Sequence, residues 1–483
     1  MDTRDINELY APEHFRDAGH ELIELLTEYL KAGLQGHEKV LSWRSPQQEF
    51  TRWQASVPRQ GTLTSQELLH TIRDEVLATS LRVHHPRNLG HQVAPPLPIA
   101  ALCDLVAALT NQAMAVYETG PSATMIERQV ISWLAELIGW PDAEGVLTSG
   151  GAQANLTALL AARQCKAGWD VWKHGTRVDS RLRLMASEHA HYSVSRAAGI
   201  MGLGTEAVIP VATDARGRMD MLALSAAWSD CIARGEQPFV VVATAGCTPT
   251  GSIDPLDEIG AFCREHDIWF HVDGAHGASS LLTTEYRSAL QGVALADSVV
   301  WDGHKLLYMP AAVSAVLFRD PRNSYAAFAQ EASYLFHGNT VEDESFNTSY
   351  RTLECTKRMM GLKLWAAFSM YGVDKLGELV THVFQSARQL AEKIEATADF
   401  ELLMPPQTNI VCFRYLPVPE MSLDALNAAQ AALRWELVQS GAFHLTQTTV
   451  HGIIWLRATV MNPLTTEEDL DELISGMRAI GSH

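Results

Sequence analysis

Residues 269–276 read WFHVDGAH and residues 298–307 read SVVWDGHKLL. Each is a short apolar run that halts on a charged or polar side chain. Asp273 ends the first, and Lys305 follows the second, thirty-two positions later (305 − 273). Runs of this length suit buried strands. Others precede them, namely GVLTSG, RLRLMAS and PFVVVATAG, separated by helical segments such as QANLTALLAARQ, HYSVSRAAG and PLDEIGAFCREH. Strands alternating with helices between about residues 100 and 320 predict right-handed crossovers and a mostly parallel sheet with helices on both faces. Ligands of such sheets collect in the crevice beyond the carboxyl ends of the strands. Asp273, Lys305, His191, Gly150 and Gly151 all follow apolar runs directly or within a few residues. The pattern predicts that they converge on one crevice.

On the N-terminal side, residues 13–34 place Phe15, Ala18, Leu22, Leu25, Leu26 and Tyr29 on one helical face just after Pro12. A stripe of this kind must be buried against something. A polar segment rich in Gln and Ser spans residues 44–66. Beyond the sheet region, residues from about 357 to 396 read as helical, while ELLM, NIVCFRY and IIWLRATVM read as strands. TTEEDLDELISGMRAI closes the chain as a helix in which Thr465 and Glu468 have capping-box spacing.

A chain of 483 residues exceeds one ordinary domain. A composition 47% hydrophobic and 19% charged is that of a folded protein with ample core. The net charge of −19 argues against a nucleic-acid partner, which calls for a basic stripe, and against an anionic membrane surface. The seven cysteines are scattered, odd in number and lack a C-x-x-C pair, which suits a reducing compartment better than a disulfide framework or zinc site. The start, MDTRDINELYAPEHF, carries no basic-then-apolar signal, and no run approaches the ~18 apolar residues of a membrane span. Cytoplasm is the expected location, with no membrane partner.

LTSGGAQANLTALL reads as a strand, a small-residue turn and a helix start, where backbone N–H groups and the helix dipole can bind a phosphate. It is not a Walker loop, since no Gly-Lys-Ser/Thr follows. A phosphate-bearing cofactor that also needs one lysine and one acid is pyridoxal phosphate: lysine forms a Schiff base with its aldehyde, and a carboxylate keeps the pyridine nitrogen protonated so that the ring withdraws electrons. Taken singly, Asp273 also reads as a strand-end acid capping a turn and Lys305 as a solvated loop lysine. His189 and His191 form an H-x-H pair, but no third ligand at metal-like spacing accompanies them, so no metal is expected.

These segments together resemble the group II pyridoxal-phosphate-dependent decarboxylases, the family of aromatic amino acid, glutamate, cysteine sulfinate and diaminobutyrate decarboxylases. The resemblance runs in order through HPRNLGHQVAPP, GPSATMIERQVISWL, TSGGAQANLTALLAAR, SEHAHYSVSRAAG, VATAGCTPTGSIDPL, HVDGAH, ADSVVWDGHK and LRATVMNPLTTEEDL. It implies the transferase-like α/β architecture of fold type I, with a mostly parallel central sheet. The implied division is an N-terminal helical, dimer-forming segment over residues 1–82, a large cofactor-binding α/β domain over 83–365, and a smaller C-terminal α/β domain over 366–483.

By the same resemblance Lys305 holds the cofactor aldehyde, Asp273 faces the pyridine nitrogen and His191 stacks on the ring. Ala275, read as lying on the strand face of Asp273, touches the other side of the ring, and Thr248 hydrogen-bonds the ring hydroxyl. Gly151 and Ala152 receive the phosphate, with Asp302 and His304 preceding the lysine. The chain departs from many relatives at Ala152, where serine is common, and at Leu306, where an aromatic residue is common. Neither change removes a reacting group.

Decarboxylation also needs a proton donor. Tyr334 occupies the position of the family's loop tyrosine, where phenylalanine would suggest an aldehyde synthase, and His304 is the alternative acid. His91 and Gln92 stand where aromatic-specific members carry bulky rings, and Arg457 resembles an arginine that binds a substrate carboxylate, with Arg351 and Lys357 as alternatives. A pocket lined by hydrogen-bonding groups disfavours apolar side chains, so the expected substrate is a small polar amino acid of the glutamate, aspartate or 2,4-diaminobutyrate type. A homodimer with shared active sites is implied. An aldehyde synthase, an aminotransferase and a cofactor-binding homologue without catalysis remain the other readings.

Overall fold

A computed structural model of the chain describes residues 3–177, 180–328, 345–417 and 421–481. Among these residues a seven-stranded sheet is built from β1 (Glu144–Thr148), β2 (Leu182–Ser187), β3 (Val208–Val211), β4 (Gln237–Thr244), β5 (Trp269–Asp273), β6 (Ser298–Asp302) and β7 (Ser314–Phe318). The order is β1-β7-β6-β5-β4-β2-β3. Pairing is parallel from β3 through β6, whereas β7 runs antiparallel to both β6 and β1. Every residue of β5, β6 and β7 is buried, as expected for strands covered on both faces.

The first helix after β1, Gly151–Lys166, packs against β1, β4, β5, β6 and β7. Its small and branched residues Ala154, Leu156, Ala158, Leu159, Ala161 and Ala162 are buried in the core beneath the sheet. Strand β3 escapes a sequence reading because VIPV is short and contains Pro210, which has no N–H for a sheet ladder and suits an edge. Strand β7 was likewise unmarked, following a loop without periodicity.

A second sheet has the order β10-β11-β9-β8, from β8 (Phe400–Leu402), β9 (Ile410–Tyr415), β10 (Thr446–Val450) and β11 (Ile453–Thr459). The chain divides into two compact units, one of Met1–His91, Lys393–Glu401 and Phe413–His483, the other of Gln92–Glu392 and Leu402–Cys412. The N-terminal helix spans Pro12–Gln35. Its stripe is incompletely covered, since Phe15 is 54% and Leu26 38% exposed.

One local expectation changes, at the closing helix. The closing helix Glu467–Gly481 is capped one residue later than expected, by Thr466 and Asp469: Thr466 N donates to Asp469 Oδ2 at 3.0 Å and Asp469 N to Thr466 Oγ1 at 3.2 Å. Thr465 instead donates to Pro86 O at 2.6 Å. The polar stretch from residue 44 contains a helix, Pro46–Trp53, opened by a capping box of Ser45 and Gln48. HPRNLGHQ is a series of turns and bends, with one isolated bridge between Asn88 and His444.

The end of β1 is held by a buried ion pair. Glu127 and Lys357 contact each other at 3% and 1% side-chain exposure. Glu127 Oε1 accepts the Leu147 N–H at 3.0 Å, and Lys357 Nζ donates to Leu147 O at 2.9 Å. Both charges therefore serve the strand that leads into Gly150 and Gly151. Removing one partner leaves the other charge buried, so Lys357→Met should cost about 3–5 kcal/mol in urea unfolding. The double variant Glu127→Leu with Lys357→Met should recover much of that loss.

Candidate active site

Strand β5 ends on Asp273, and its period of two puts Trp269, His271 and Asp273 on one face. Asp273 is 5% exposed, and both oxygens accept hydrogen bonds, Oδ1 from the Ala275 N–H at 3.2 Å and Oδ2 from Asn155 Nδ2 at 2.9 Å. Ala275 lies in the turn beyond β5 and not on the strand face, because the strand stops at Asp273 and the chain folds back to bond that carboxylate. The methyl group still lines the same cavity.

Strand β6 ends on Asp302, which is 2% exposed. Its Oδ2 is 3.0 Å from Lys305 Nζ and 3.6 Å from His304 Nε2, while Ser314 Oγ donates to Oδ1 at 2.5 Å. Asp302 is thus the counter-charge of Lys305. His304 Nδ1 lies 2.8 Å from Val313 O. His191 follows β2, with Nδ1 2.9 Å from Ser193 Oγ. Burial lowers the pKa of its imidazole; the charge of Asp273 opposes that effect and the charge of Lys305 adds to it.

These ends enclose a cavity of about 280 Å³. Lys305, Asp273, His191, Thr248 and Ala275 line it, as do Gly151, Ala152, Asp302 and His304. Gly150 precedes the helix with φ 157°, a conformation that favours glycine. A Cβ on Gly151 would come 2.9 Å from Asp302 Oδ1, so the close approach of that carboxylate excludes a side chain there. Five further lining residues were not singled out from the sequence: Asn155, Tyr192, Thr244, Gly246 and His276. Thr244 Oγ1 is buried without a hydrogen-bond partner among the described residues, and His276 Nε2 lies 2.6 Å from Asn409 Oδ1. Period two on β5 points to His271, and helical spacing from Gly151 points to Asn155; Thr244 carries no sequence signal beyond ending a strand.

Tyr334 falls outside the described residues. Gln92 does not line the cavity. His91 and Arg457 belong to the unit containing the C-terminal helix. There Arg457 Nη1 donates to Thr446 Oγ1 at 3.3 Å. The His91 ring is exposed by surface area, yet enclosure by neighbouring atoms, then the charges of Arg457 and Arg434, lower its pKa. Of the alternative cations, Lys357 is engaged by Glu127, and Arg351 Nη1 donates to Glu144 Oε2 at 2.7 Å; both hold the scaffold together.

The cavity fits a phosphorylated aldehyde. A glycine-flanked helix start offers backbone donors, Lys305 an amine, Asp273 a buried acid and Thr244 an unused hydroxyl, a donor set that suits a pyridoxal-phosphate enzyme. Residues 46–416 match the family model described as the pyridoxal-dependent decarboxylase conserved domain. Cysteine sulfinic acid decarboxylase of Mus musculus is 32% identical over 95% of this chain and 94% of its own length. Aromatic-L-amino-acid decarboxylase of Bacillus atrophaeus is 31% identical over 88% and 87% of the two chains. A crystal structure of mouse CSAD in apo form superposes with a TM-score of 0.91 at 29% identity, covering 97% of this chain and 99% of that one. The chain belongs to the pyridoxal-dependent decarboxylases.

His271 lies fully buried beside Asp273, and desolvation lowers its pKa to about 4 despite the opposing charge of Asp273. In the unfolded chain the ring protonates near ~6.5. Between these values the unfolded state binds the extra proton, so acidification from pH 7 to pH 4 should destabilise the fold by about 3 kcal/mol through this residue. Asp254, raised to about 6 by burial, contributes with the opposite sign. The difference between wild-type and His271→Gln unfolding curves across this range isolates the histidine. It should shrink as the pH falls.

Proposed function

We propose that this chain decarboxylates a small polar or acidic L-amino acid, of the glutamate, aspartate or 2,4-diaminobutyrate type, to the corresponding amine. The observation that chiefly supports the site reading is the meeting of Asp273, His191 and Lys305 on one cavity at the strand ends. Pyridoxal phosphate, when bound, supplies an electron sink that weakens one bond at the substrate α-carbon. Lys305 tethers its aldehyde, and Asp302 keeps that amine in place. Asp273 holds a proton at the ring nitrogen. When the cofactor is bound, His191 would cover one face of the ring and Ala275 the other, Thr248 would meet the ring hydroxyl, and Gly151 and Ala152 would receive the phosphate at the helix start. Tyr334 delivers the proton that replaces carbon dioxide, with His304 as the alternative donor.

The substrate class is supported by acidic relatives, including an acidic amino acid decarboxylase of Homo sapiens that is 30% identical over 98% of this chain and 93% of its own length. Arg457, 5% exposed, is the proposed partner of the substrate's side-chain acid, and His91 and Gln92 are the other proposed substrate-binding residues. A homodimer with shared sites, built on the helical segment 1–82, is supported by apolar residues left uncovered. Besides Phe15 and Leu26, the helix Pro98–Thr110 exposes Leu105 at 46% and Leu109 at 66%. A cytoplasmic location is supported by the free state of all seven cysteines; among the described residues no helix is long and apolar enough to cross a membrane.

The test is a panel of amino acids assayed for carbon dioxide, amine, ammonia and hydrogen peroxide with added pyridoxal phosphate. Carbon dioxide and amine in equal amounts, without peroxide or ammonia, are expected from an acidic member of the panel. Lys305→Ala should abolish both the reaction and borohydride fixation of the cofactor. Tyr334→Phe should reduce amine formation; unchanged output removes that tyrosine from the reaction. Arg457→Met should lower kcat/KM for an acidic substrate about 10- to 100-fold, the loss of one charge-assisted contact, without altering cofactor affinity.

A further inference from the structure

Asn155 lies four residues into the helix Gly151–Lys166, one turn from the glycine that lines the cavity, and is 1% exposed. Its Nδ2 is 2.9 Å from Asp273 Oδ2 and 2.9 Å from Ser193 Oγ, and its Oδ1 is 3.0 Å from His271 Nε2. Chemistry fixes the direction of each bond. A carboxylate oxygen only accepts, so the amide nitrogen faces Asp273. The amide oxygen then faces His271 and also only accepts, so His271 Nε2 carries a proton. Burial keeps that ring neutral, which leaves its Nδ1 bare to accept from the Ser298 hydroxyl at 2.8 Å. Ser298 Oγ in turn accepts the Trp269 indole N–H at 2.9 Å.

On the other side, Ser193 Oγ accepts from Asn155 and turns its own proton toward His191 Nδ1, 2.9 Å away. The Ser193 backbone N–H points at the same nitrogen from 3.3 Å. With two donors directed at Nδ1, the proton of the neutral His191 ring sits on Nε2. One carboxamide therefore joins three elements: the helix that begins at the cavity, the strand carrying the acid, and the segment carrying the imidazole.

We propose that Asn155 is a positioning residue that fixes both the Asp273 carboxylate facing the ring nitrogen of pyridoxal phosphate and the tautomer of the His191 imidazole covering the ring. The inference rests on the pyridoxal-phosphate reading of this cavity. Its consequence is that the protonation of the cofactor ring depends on a residue that need not touch the ring nitrogen, and on His271 behind it.

The test uses holoenzyme loaded with pyridoxal phosphate carrying ¹⁵N in the ring. The wild type should show a protonated ring nitrogen by solid-state ¹⁵N NMR and fix the cofactor on Lys305 with borohydride. Asn155→Ala should retain that fixation, bind the cofactor about 10-fold more weakly, and move the ring-nitrogen resonance toward its unprotonated position. His271→Phe removes the donor to Asn155 Oδ1 and should move the resonance the same way. His271→Gln, whose amide N–H can donate in its place, should restore it. A wild-type resonance in Asn155→Ala, or in His271→Phe where Asn155→Ala does not fold, overturns the proposal even if the melting temperature falls. Failure of the wild type to fix cofactor on Lys305 overturns the reading of the site instead.

Discussion

Asp273 places a carboxylate, 5% exposed, at the carboxyl end of a strand buried along its whole length. A carboxylate removed from water is tolerated only if its oxygens are hydrogen-bonded or paired. Here the Ala275 N–H and the Asn155 amide meet that need, one from the turn beyond the strand and one from the helix beneath it. The surrounding polar groups follow from satisfying this one acid. His271 and Ser298 complete the hydrogen bonds of Asn155 on one side, and Ser193 and His191 complete them on the other. A network satisfied in this way is rigid, and loosening any member leaves a buried group without its partner.

The second charge, on Asp302, is handled differently. It is engaged by Lys305 and Ser314 and sits against the helix start at Gly151. The two acids divide the labour: Asp273 is held by neutral donors that keep its accepting face fixed, while Asp302 faces a cation and a hydroxyl. That division places the Lys305 amine beside one buried acid and leaves the other among neutral donors.

Much of this was legible in the sequence because burial and strand ends leave a clear mark. WFHVD and SVVWD are continuous apolar runs ended by acids, and β5 and β6 match them residue for residue. The gathering of Lys305, Asp273 and His191 then follows from the rule that crevices form beyond strand ends. What stayed hidden depends on three-dimensional approach. Asn155 reads as an ordinary polar residue inside QANLTALL until the helix is laid against β5. His271 looks like part of a motif, and only its contact with Asn155 gives it work to do. The capping box at the last helix was displaced by one residue because two adjacent threonines and several acids make both registers plausible, and the packing of Thr465 against Pro86 decides between them. The turn at Ala275 was misplaced because alternation continues on paper where the backbone has already bent.

The lone reversed strand has a further effect. Because β7 runs opposite to its neighbours, its first residue, Ser314, lies in register with the last residue of β6, Asp302, and with the last of β1, Thr148. Thr148 Oγ1 donates to Ser314 O at 3.2 Å, and the Ser314 hydroxyl meets Asp302. Three strand termini thus lie in one rung, and the helix start at Gly151 reaches across it to the Asp302 carboxylate. Adjacent strands are ~4.8 Å apart, so the rung spans roughly 10 Å. A slip of β7 by one residue would break this rung on both of its sides, against Thr148 and against Asp302.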